Sequence, residues 1–410
     1  MLKMKKNSNY WLISGFVFFY FLAMISTMSL FSIWLGQTLK LSGAEVGIIF
    51  SVNAIATLCI QPLFGFISDK IALKKHLLWV ITLFILFVGP FFIYVYHPLL
   101  KYNLFVGAVV GSIFISATFL AGLGAVESYA ERAGKKYDFE YGQARMWGSL
   151  GAACAAFFSG QLFNINPNIN FWVASGCSLI LILILLLTKV GISKEEQKKA
   201  NSLKLKDGLA LLKNKTFWTF MLYVLGVACI YSVYDQQFPV YYSSLFSTKE
   251  LGNRMFGYLN SIQIFVEAGM MFIAPFIVNK IGAKRGLVLA GVIMAIRIIG
   301  SGLVAGPIGI SAMKMLHSFE LPIMLVAIFK FISLHFDARL SSTMYIVGYY
   351  FVSQTGQAIL SPVAGHLYDT IGFAKTYLIL GTSVLVCVIA FFLIKTNSPF
   401  HKAVYHRRVS

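Results

Sequence analysis

Gly65-Phe66-Ile67-Ser68-Asp69-Lys70-Ile71-Ala72-Leu73-Lys74-Lys75 is a basic hydrophilic turn set between two long apolar runs, and the chain repeats it. At the equivalent place after the eighth run stands Asn279-Lys280-Ile281-Gly282-Ala283-Lys284-Arg285, and a looser echo, Gly365-His366-Leu367-Tyr368-Asp369-Thr370-Ile371-Gly372, follows the eleventh. The runs themselves are about 20 residues or longer, the length that crosses a hydrocarbon core about 30 Å thick. Twelve can be marked, near 10–36, 43–68, 76–97, 103–128, 141–163, 169–189, 216–243, 254–279, 285–304, 309–334, 340–366 and 372–394. The expected fold is an all-α membrane protein of 12 transmembrane helices. Repeats of this kind mark transporters built from related bundles around a central site.

Composition points the same way. Of 410 residues, 58% are hydrophobic and 12% charged, whereas soluble domains carry about 25% charged residues. The formal charge of +19 could suggest nucleic acid. The Lys and Arg residues, however, sit in short loops between apolar runs, where they set topology. They concentrate at Lys3, Lys5 and Lys6, after the second run (Lys70, Lys74, Lys75), after the fourth (Arg132, Lys135, Lys136), after the eighth (Lys280, Lys284, Arg285) and at Arg407 and Arg408. The alternate loops hold little more than Lys40, Lys101, Lys249 and Arg254. By the positive-inside rule both termini are cytoplasmic. The basic N-terminus runs into an apolar stretch with no small-residue cleavage site, so a retained first span is expected rather than a signal peptide.

One long hydrophilic segment, 190–215, separates an N-terminal six-helix bundle, 1–189, from a C-terminal six-helix bundle, 216–410. The five cysteines lie inside apolar runs without CxxC spacing, which argues against a disulfide framework or zinc site. No nucleotide-binding loop, nucleophile constellation or metal cluster is evident. The expectation is a transporter rather than an enzyme, with no cofactor and no metal.

With only 15 acidic residues, each can be placed. Glu127, Asp235, Glu267 and Glu320 fall within apolar runs, and Arg145, Arg297 and Lys314 match them among the bases. A charge at the bilayer centre costs at least about 2.5–3.5 kcal/mol on insertion scales, so such groups pair or face an interior cavity. Lys314, His317 and Glu320 recur at i, i+3 and i+6, within about 120° on one helical face. Asp235 and Lys314 are partners by sign, and a structural pair outweighs chemistry because losing one member strands a buried charge. Glu320, His317 and Arg297 form a second group. Burial favours the protonated form of a carboxyl and a nearby guanidinium the charged form, so a carboxyl whose arginine comes and goes suits proton coupling. Glu127 and Arg145 are either an interfacial ion pair or a site for a sugar or anion, in which a carboxylate accepts from hydroxyls and an arginine donates in a fork. Trp147 offers an aromatic platform for a sugar ring, or simply packing.

The turn at 65–75 is similar to the loop signature of the major facilitator superfamily. Gly65, Asp69, Lys74 and Lys75 stand in place, with Ala72 where that signature has a second glycine. A glycine there permits close helix approach, Asp69 can cap or pair at a helix end, and the lysines anchor the cytoplasmic side. Further stretches, in order, resemble the oligosaccharide/proton symporters, the family of lactose, raffinose and sucrose permeases. They are Gln61 to Lys70, Ala125-Val126-Glu127, Phe139 to Gly148, Asp235-Gln236-Gln237-Phe238, Ile296-Arg297-Ile298-Ile299-Gly300, Lys314 to Glu320 and Leu340-Ser341-Ser342-Thr343.

The resemblance implies that Glu127 and Arg145 bind sugar, that His317 helps form the sugar site, that Glu320 carries the proton beside Arg297, and that Asp235 pairs with Lys314. Where lactose permeases place a second acid/base pair, this chain has Ser232 and Ser353. At the lactose-type glutamate position stands Ile264, with Glu267 one turn later, about 4.5 Å along the axis. Ala152 replaces the tryptophan that stacks on a galactosyl ring. These stretches look like the sucrose-permease version. The expectation is a proton-coupled symporter of the bacterial inner membrane, functional as a monomer, that imports a disaccharide, sucrose first. A galactoside symporter is the alternative and a drug/proton antiporter a more distant one. Sugar would be held by Glu127, Arg145, His317 and Glu267, with the proton as coupling ion.

Overall fold

The structure is a computed structural model that describes residues 8–71, 75–139, 141–188, 215–336 and 344–394. The described residues are helical almost throughout. In chain order the helices are α1 (Ser8–Thr38), α2 (Gly43–Ile71), α3 (His76–Leu86 and Val88–Tyr102), α4 (Leu104–Gly134), α5 (Tyr141–Ile165), α6 (Ile169–Leu187), α7 (Lys215–Ser244), α8 (Lys249–Ile281), α9 (Ala283–Leu303), α10 (Pro307–His335), α11 (Met344–Phe351 continuing as Val352–Ile371) and α12 (Phe373–Leu393). Among the described residues nine helices are long and apolar enough to cross a membrane. α3 makes a tenth if its two arms, bent by 50°, are one span.

α5 and α11 are not in that set. α5 is rich in Gly, Ala and Ser and carries Arg145, and α11 carries Ser353, Gln354 and Gln357. The outer ends of several helices exceed the hydropathy-defined runs, because the helix continues into polar sequence. α8 begins at Lys249 and α3 reaches Tyr102. The linker segment 190–215, apart from Lys215, and the motif Leu340–Thr343 lie outside the described residues, as does Lys74.

By contacts the chain falls into two compact units, Met1–Asn201 with Pro239–Phe265, and Ser202–Phe238 with Val266–Ser410. In the first, α5 lies close against α1. A methyl group at Gly151 would collide with the Phe18 carbonyl oxygen, and one at Gly148 would press on Val17 and Phe21. Small residues of this kind let helix backbones approach where no hydrophobic force separates helix from lipid. The stretch 239–265 is tied to the same unit by polar groups. The Gln37 and Asn253 amides exchange hydrogen bonds of 3.2 and 3.1 Å. Asn253 also accepts from Ser243 at 2.8 Å and donates to Asn164 at 3.2 Å. In the second unit α9 meets α12 through Gly302 and Gly381, where an added methyl would strike Ala374 and Ile299 respectively.

The repeated turn has a structural counterpart in each unit. Lys75 Nζ, just ahead of α3, donates to the carbonyls of Leu185 and Thr188 at the end of α6, at 2.6 and 2.7 Å. Lys284 Nζ, at the start of α9, donates to those of Phe392 and Ile394 at the end of α12, at 3.1 and 2.6 Å. Lys75 to Leu185 and Lys284 to Ile394 span the same sequence distance, 110 residues. The structural repeat thus pairs Lys75 with Lys284, and both satisfy the orphan carbonyls and negative dipole end of a helix. The echoes also share a stop. Gly282 and Gly372, at φ +89° and +81°, each make a one-residue turn between helices that a side chain would strain. At Gly65 no described residue lies within reach of an added methyl.

Removing either lysine has a calculable cost. A hydrogen bond from a charged donor is worth about 1.5–3 kcal/mol, so Lys75→Met and Lys284→Met should each lower stability by about 1–3 kcal/mol. Being in separate units, the two losses should add. Thermal unfolding of the detergent-purified protein reads both.

Candidate functional site

Each unit carries its own cluster of charge. In the first, α4 makes a π-helical turn at Ser116–Leu120, and Glu127 follows two turns later on the resumed α-helix. Glu127 Oε1 accepts from Arg145 Nε of α5 at 2.9 Å, with the side chains about a third exposed, 35% and 33%. Arg145 Nη1 donates to Ser149 at 3.2 Å, and the guanidinium lies 4.1 Å from the Phe21 ring centroid of α1. An ion pair this open adds little to stability. A part-exposed carboxylate beside a guanidinium is a set that can read vicinal hydroxyls. Tyr141, one turn before Arg145, brings its hydroxyl within hydrogen-bonding range of Glu127. Sequence reading missed it, although its i, i+4 spacing from Arg145 places both on one face.

Trp147 does not join this pair. Trp147 also lies against α1, but at its first turn rather than beside Phe21. Its indole N–H donates to Tyr10 at 3.2 Å, and its ring packs edge-on against Trp11 at 5.7 Å. Trp11 is 46% exposed. The aromatic-platform reading of Trp147 is therefore corrected: it belongs to an aromatic cluster on the α1/α5 seam. Trp147→Phe should leave sugar affinity within about twofold of the parent while lowering stability by about 1 kcal/mol for the lost hydrogen bond. Ligand titration and thermal unfolding separate the two.

In the second unit, the chain breaks its helical run at Leu316, where a tighter turn bonds Leu316 N–H to the Met313 carbonyl at 3.1 Å. Lys314 lies on one side of that turn and His317 and Glu320 on the other, yet all three converge. Asp235 Oδ1 of α7 accepts from Lys314 Nζ at 2.8 Å and from Arg297 Nη1 of α9 at 3.1 Å. Arg297 Nη2 stands 2.6 Å from Glu320 Oε1, and His317 Nδ1 lies 3.0 Å from that same oxygen and 3.8 Å from Asp235 Oδ2. Arg297 and Glu320 are wholly enclosed.

The division into a structural pair, Asp235 with Lys314, and a separate proton group therefore changes. Arg297 bridges them, and the five residues are one network. Two acids and two permanent bases balance, which is what a low-dielectric site requires. Aromatic faces complete it: Arg297 lies 4.7 Å from the Tyr234 ring, Lys314 5.1 Å from the Phe238 ring, and Tyr231 5.6 Å from the His317 ring. These rings were unassigned in the sequence, yet Tyr231, Tyr234 and Phe238 bracket Asp235 at spacings of three and four, one stripe of α7.

Glu320 Oε2 has no partner, although it is buried. Glu267, half-buried on α8, acts electrostatically on Tyr231, the ring beside His317. Ser232 donates within its own helix to the Ala228 carbonyl at 3.1 Å, and Ser353 accepts from Gln357 at 3.3 Å. Neither carries a charge, so this part of the unit stays neutral. Among the described residues no group of three His, Cys, Asp or Glu is placed to hold a metal ion. Of the loop-signature residues, Lys75 is the helix cap described above, and the side chains of Asp69 and Lys74 lie outside the described residues.

Many apolar helices with a balanced charge network enclosed among them define a multi-pass membrane permease. Solved structures place the fold: the nucleoside transporter NupG aligns with a TM-score of 0.78 at 17% identity, over 95% of this chain and 100% of that one. A bacterial homologue of the human lysosomal transporter Spinster aligns at 0.70 and 12% identity, over 96% and 97% of the two chains. The chain belongs to the LacY proton/sugar symporter family, whose family model matches residues 2–408, and so to the major facilitator superfamily. It is 42% identical over 400 residues to the raffinose permease of Escherichia coli, covering 96% of this chain and 94% of that one. It is 42% identical over 406 residues to the melibiose permease of Enterobacter cloacae, covering 97% and 96%. The sucrose permease of Escherichia coli is 38% identical over 391 residues, covering 94% and 93%.

Proposed function

We propose that the protein is a secondary active symporter of the bacterial inner membrane that couples inward proton flow to oligosaccharide uptake by alternating access. In this reading it has twelve spans in two six-helix halves, both termini are cytoplasmic, one chain is the working unit, and the proton is the coupling ion with no cofactor. The observation that carries the reading is Glu320: enclosed, one oxygen held by Arg297 and His317, the other unpartnered. That free oxygen is where a proton would bind, and once it is bound the hold of Arg297 weakens and Asp235 becomes its principal partner. Glu127 and Arg145 receive sugar hydroxyls, and His317, by touching Glu320, links sugar to proton. Sugar must bind the protonated form more tightly for uptake to be driven, and the coupling is reciprocal.

Sucrose is our first candidate substrate, on Glu267 displaced by one turn and on Ala152 in place of a galactosyl-stacking tryptophan. Galactosides stand beside it. The raffinose and melibiose permeases are each 42% identical to this chain against 38% for the sucrose permease, and the Glu127–Arg145 pair suits either sugar. Cells lacking sugar permeases and expressing this protein should alkalinise their medium when the true substrate is added, among sucrose, lactose, melibiose, raffinose and maltose. Acidification on adding an apolar cation would instead identify a drug/proton antiporter. Glu127→Ala strands Arg145 and removes a hydroxyl acceptor, so sugar affinity should fall about a hundredfold, roughly 3 kcal/mol. Unchanged affinity would return the pair to a structural role.

A further inference from the structure

The second unit holds a polar ladder next to the charge network that the sugar-symport reading does not use. Gln236, the residue after Asp235 on α7, donates from Nε2 to Gln357 Oε1 of α11 at 3.4 Å, and Gln357 Nε2 donates to Ser353 Oγ one turn back at 3.3 Å. These bonds are long beside the 2.6–3.1 Å contacts among Asp235, Arg297, Lys314 and Glu320, at the outer limit of useful geometry. Gln236 and Gln357 are both half-buried. A part-exposed amide on a membrane helix cannot face hydrocarbon without a cost of several kcal/mol, about 2–7, so a polar cavity suits the pair better than lipid.

We propose that Gln236, Gln357 and Ser353 form a neutral sugar-reading ladder that takes up ring hydroxyls of the oligosaccharide, exchanging its weak internal hydrogen bonds for bonds to substrate. The proposal rests on the sugar-symport reading and adds residues to it. Three points carry it. Each primary amide presents a donor and an acceptor side by side, the complement of two vicinal hydroxyls. The ladder joins α7 to α11 through neutral groups alone, so it reads hydroxyls without disturbing the balance of Asp235, Arg297, Lys314 and Glu320. Its bonds are the weakest in the neighbourhood, so little is lost when sugar replaces them, whereas an interhelical strut would be shorter and closed to water.

The test is calorimetric titration of the purified protein with sucrose, lactose, melibiose and raffinose, comparing the parent with Gln236→Met, Gln357→Met and the double variant. Methionine keeps length and volume and removes donor and acceptor. For the sugar the parent binds, each single variant should weaken affinity about tenfold. The double should weaken it by little more than either alone, because one ladder is being broken. Should a Met variant fail to fold, Gln357→Asn keeps the amide but withdraws it by one methylene, and a loss of about threefold or more supports the ladder. Affinities within about twofold for every variant, with lowered thermal stability, would make the ladder a strut and overturn the proposal. Failure of the parent to bind any of the sugars would overturn the sugar reading itself, and the ladder with it. Unchanged variants beside a parent that binds would remove the ladder alone.

Discussion

Glu320→Gln should leave sugar exchange across the membrane running and bring uphill accumulation to a ratio of about one, since the differential binding that drives it is gone. The structure says why the two activities separate. Glutamine fits the enclosed volume, and Arg297 and Lys314 both keep Asp235 as a carboxylate partner, so neither base is stranded. The amide resembles the protonated carboxyl permanently. Glu127 and Arg145 are untouched in the other unit, so sugar still binds and the loaded carrier still turns over. Counterflow of labelled sugar in proteoliposomes, set against accumulation under an imposed proton gradient, reads both quantities. Accumulation well above the external concentration would place the proton elsewhere.

Asp235→Asn should do more damage. Asp235 is the acceptor shared by Lys314 and Arg297, and neutralising it leaves the buried Lys314 without its carboxylate, whereas Arg297 keeps Glu320. Removing one member of a buried ion pair costs about 3–5 kcal/mol, a large part of a typical protein's stability. The expected result is low yield in the membrane and early thermal unfolding. Adding Lys314→Gln removes the surplus charge and should restore most of the loss. Restoration of folding in the double variant, without restored accumulation, would confirm that Asp235 balances the network. A single variant as stable as the parent would mean that water reaches the site.

The all-helical fold was legible in the sequence because a bilayer constrains it so strongly: long apolar runs can only be helices there. α5 and α11, marked as runs in the sequence, do not join the nine helices long and apolar enough to span, because small and polar residues dilute them. The pairing of Lys75 with Lys284 was hidden, since a lysine's reach to a distant helix end leaves no mark in sequence. Signs of charge predicted that Asp235 would meet Lys314. They could not show that Arg297 would meet Asp235 as well as Glu320, because a guanidinium presents several donors and its second partner depends on how α7, α9 and α10 cross. Trp147 stands two residues from Arg145 in sequence, yet its indole meets Tyr10 and Trp11 rather than the Glu127–Arg145 pair. The amide ladder left no motif at all, since glutamines on membrane helices have no fixed spacing signature.

The even count of charges around Arg297 also determines where the electric field can act. With Asp235 and Glu320 ionised and Arg297 and Lys314 cationic, the network is neutral, and a transmembrane voltage exerts no net force on it. A proton on Glu320 makes it carry one positive charge, and each elementary charge moved through 100 mV is worth about 2.3 kcal/mol. In the proposed cycle an interior-negative potential would pull the loaded network inward and leave the empty one indifferent on its return. Voltage should set the rate of the sugar-and-proton half of the cycle and leave the other half unchanged.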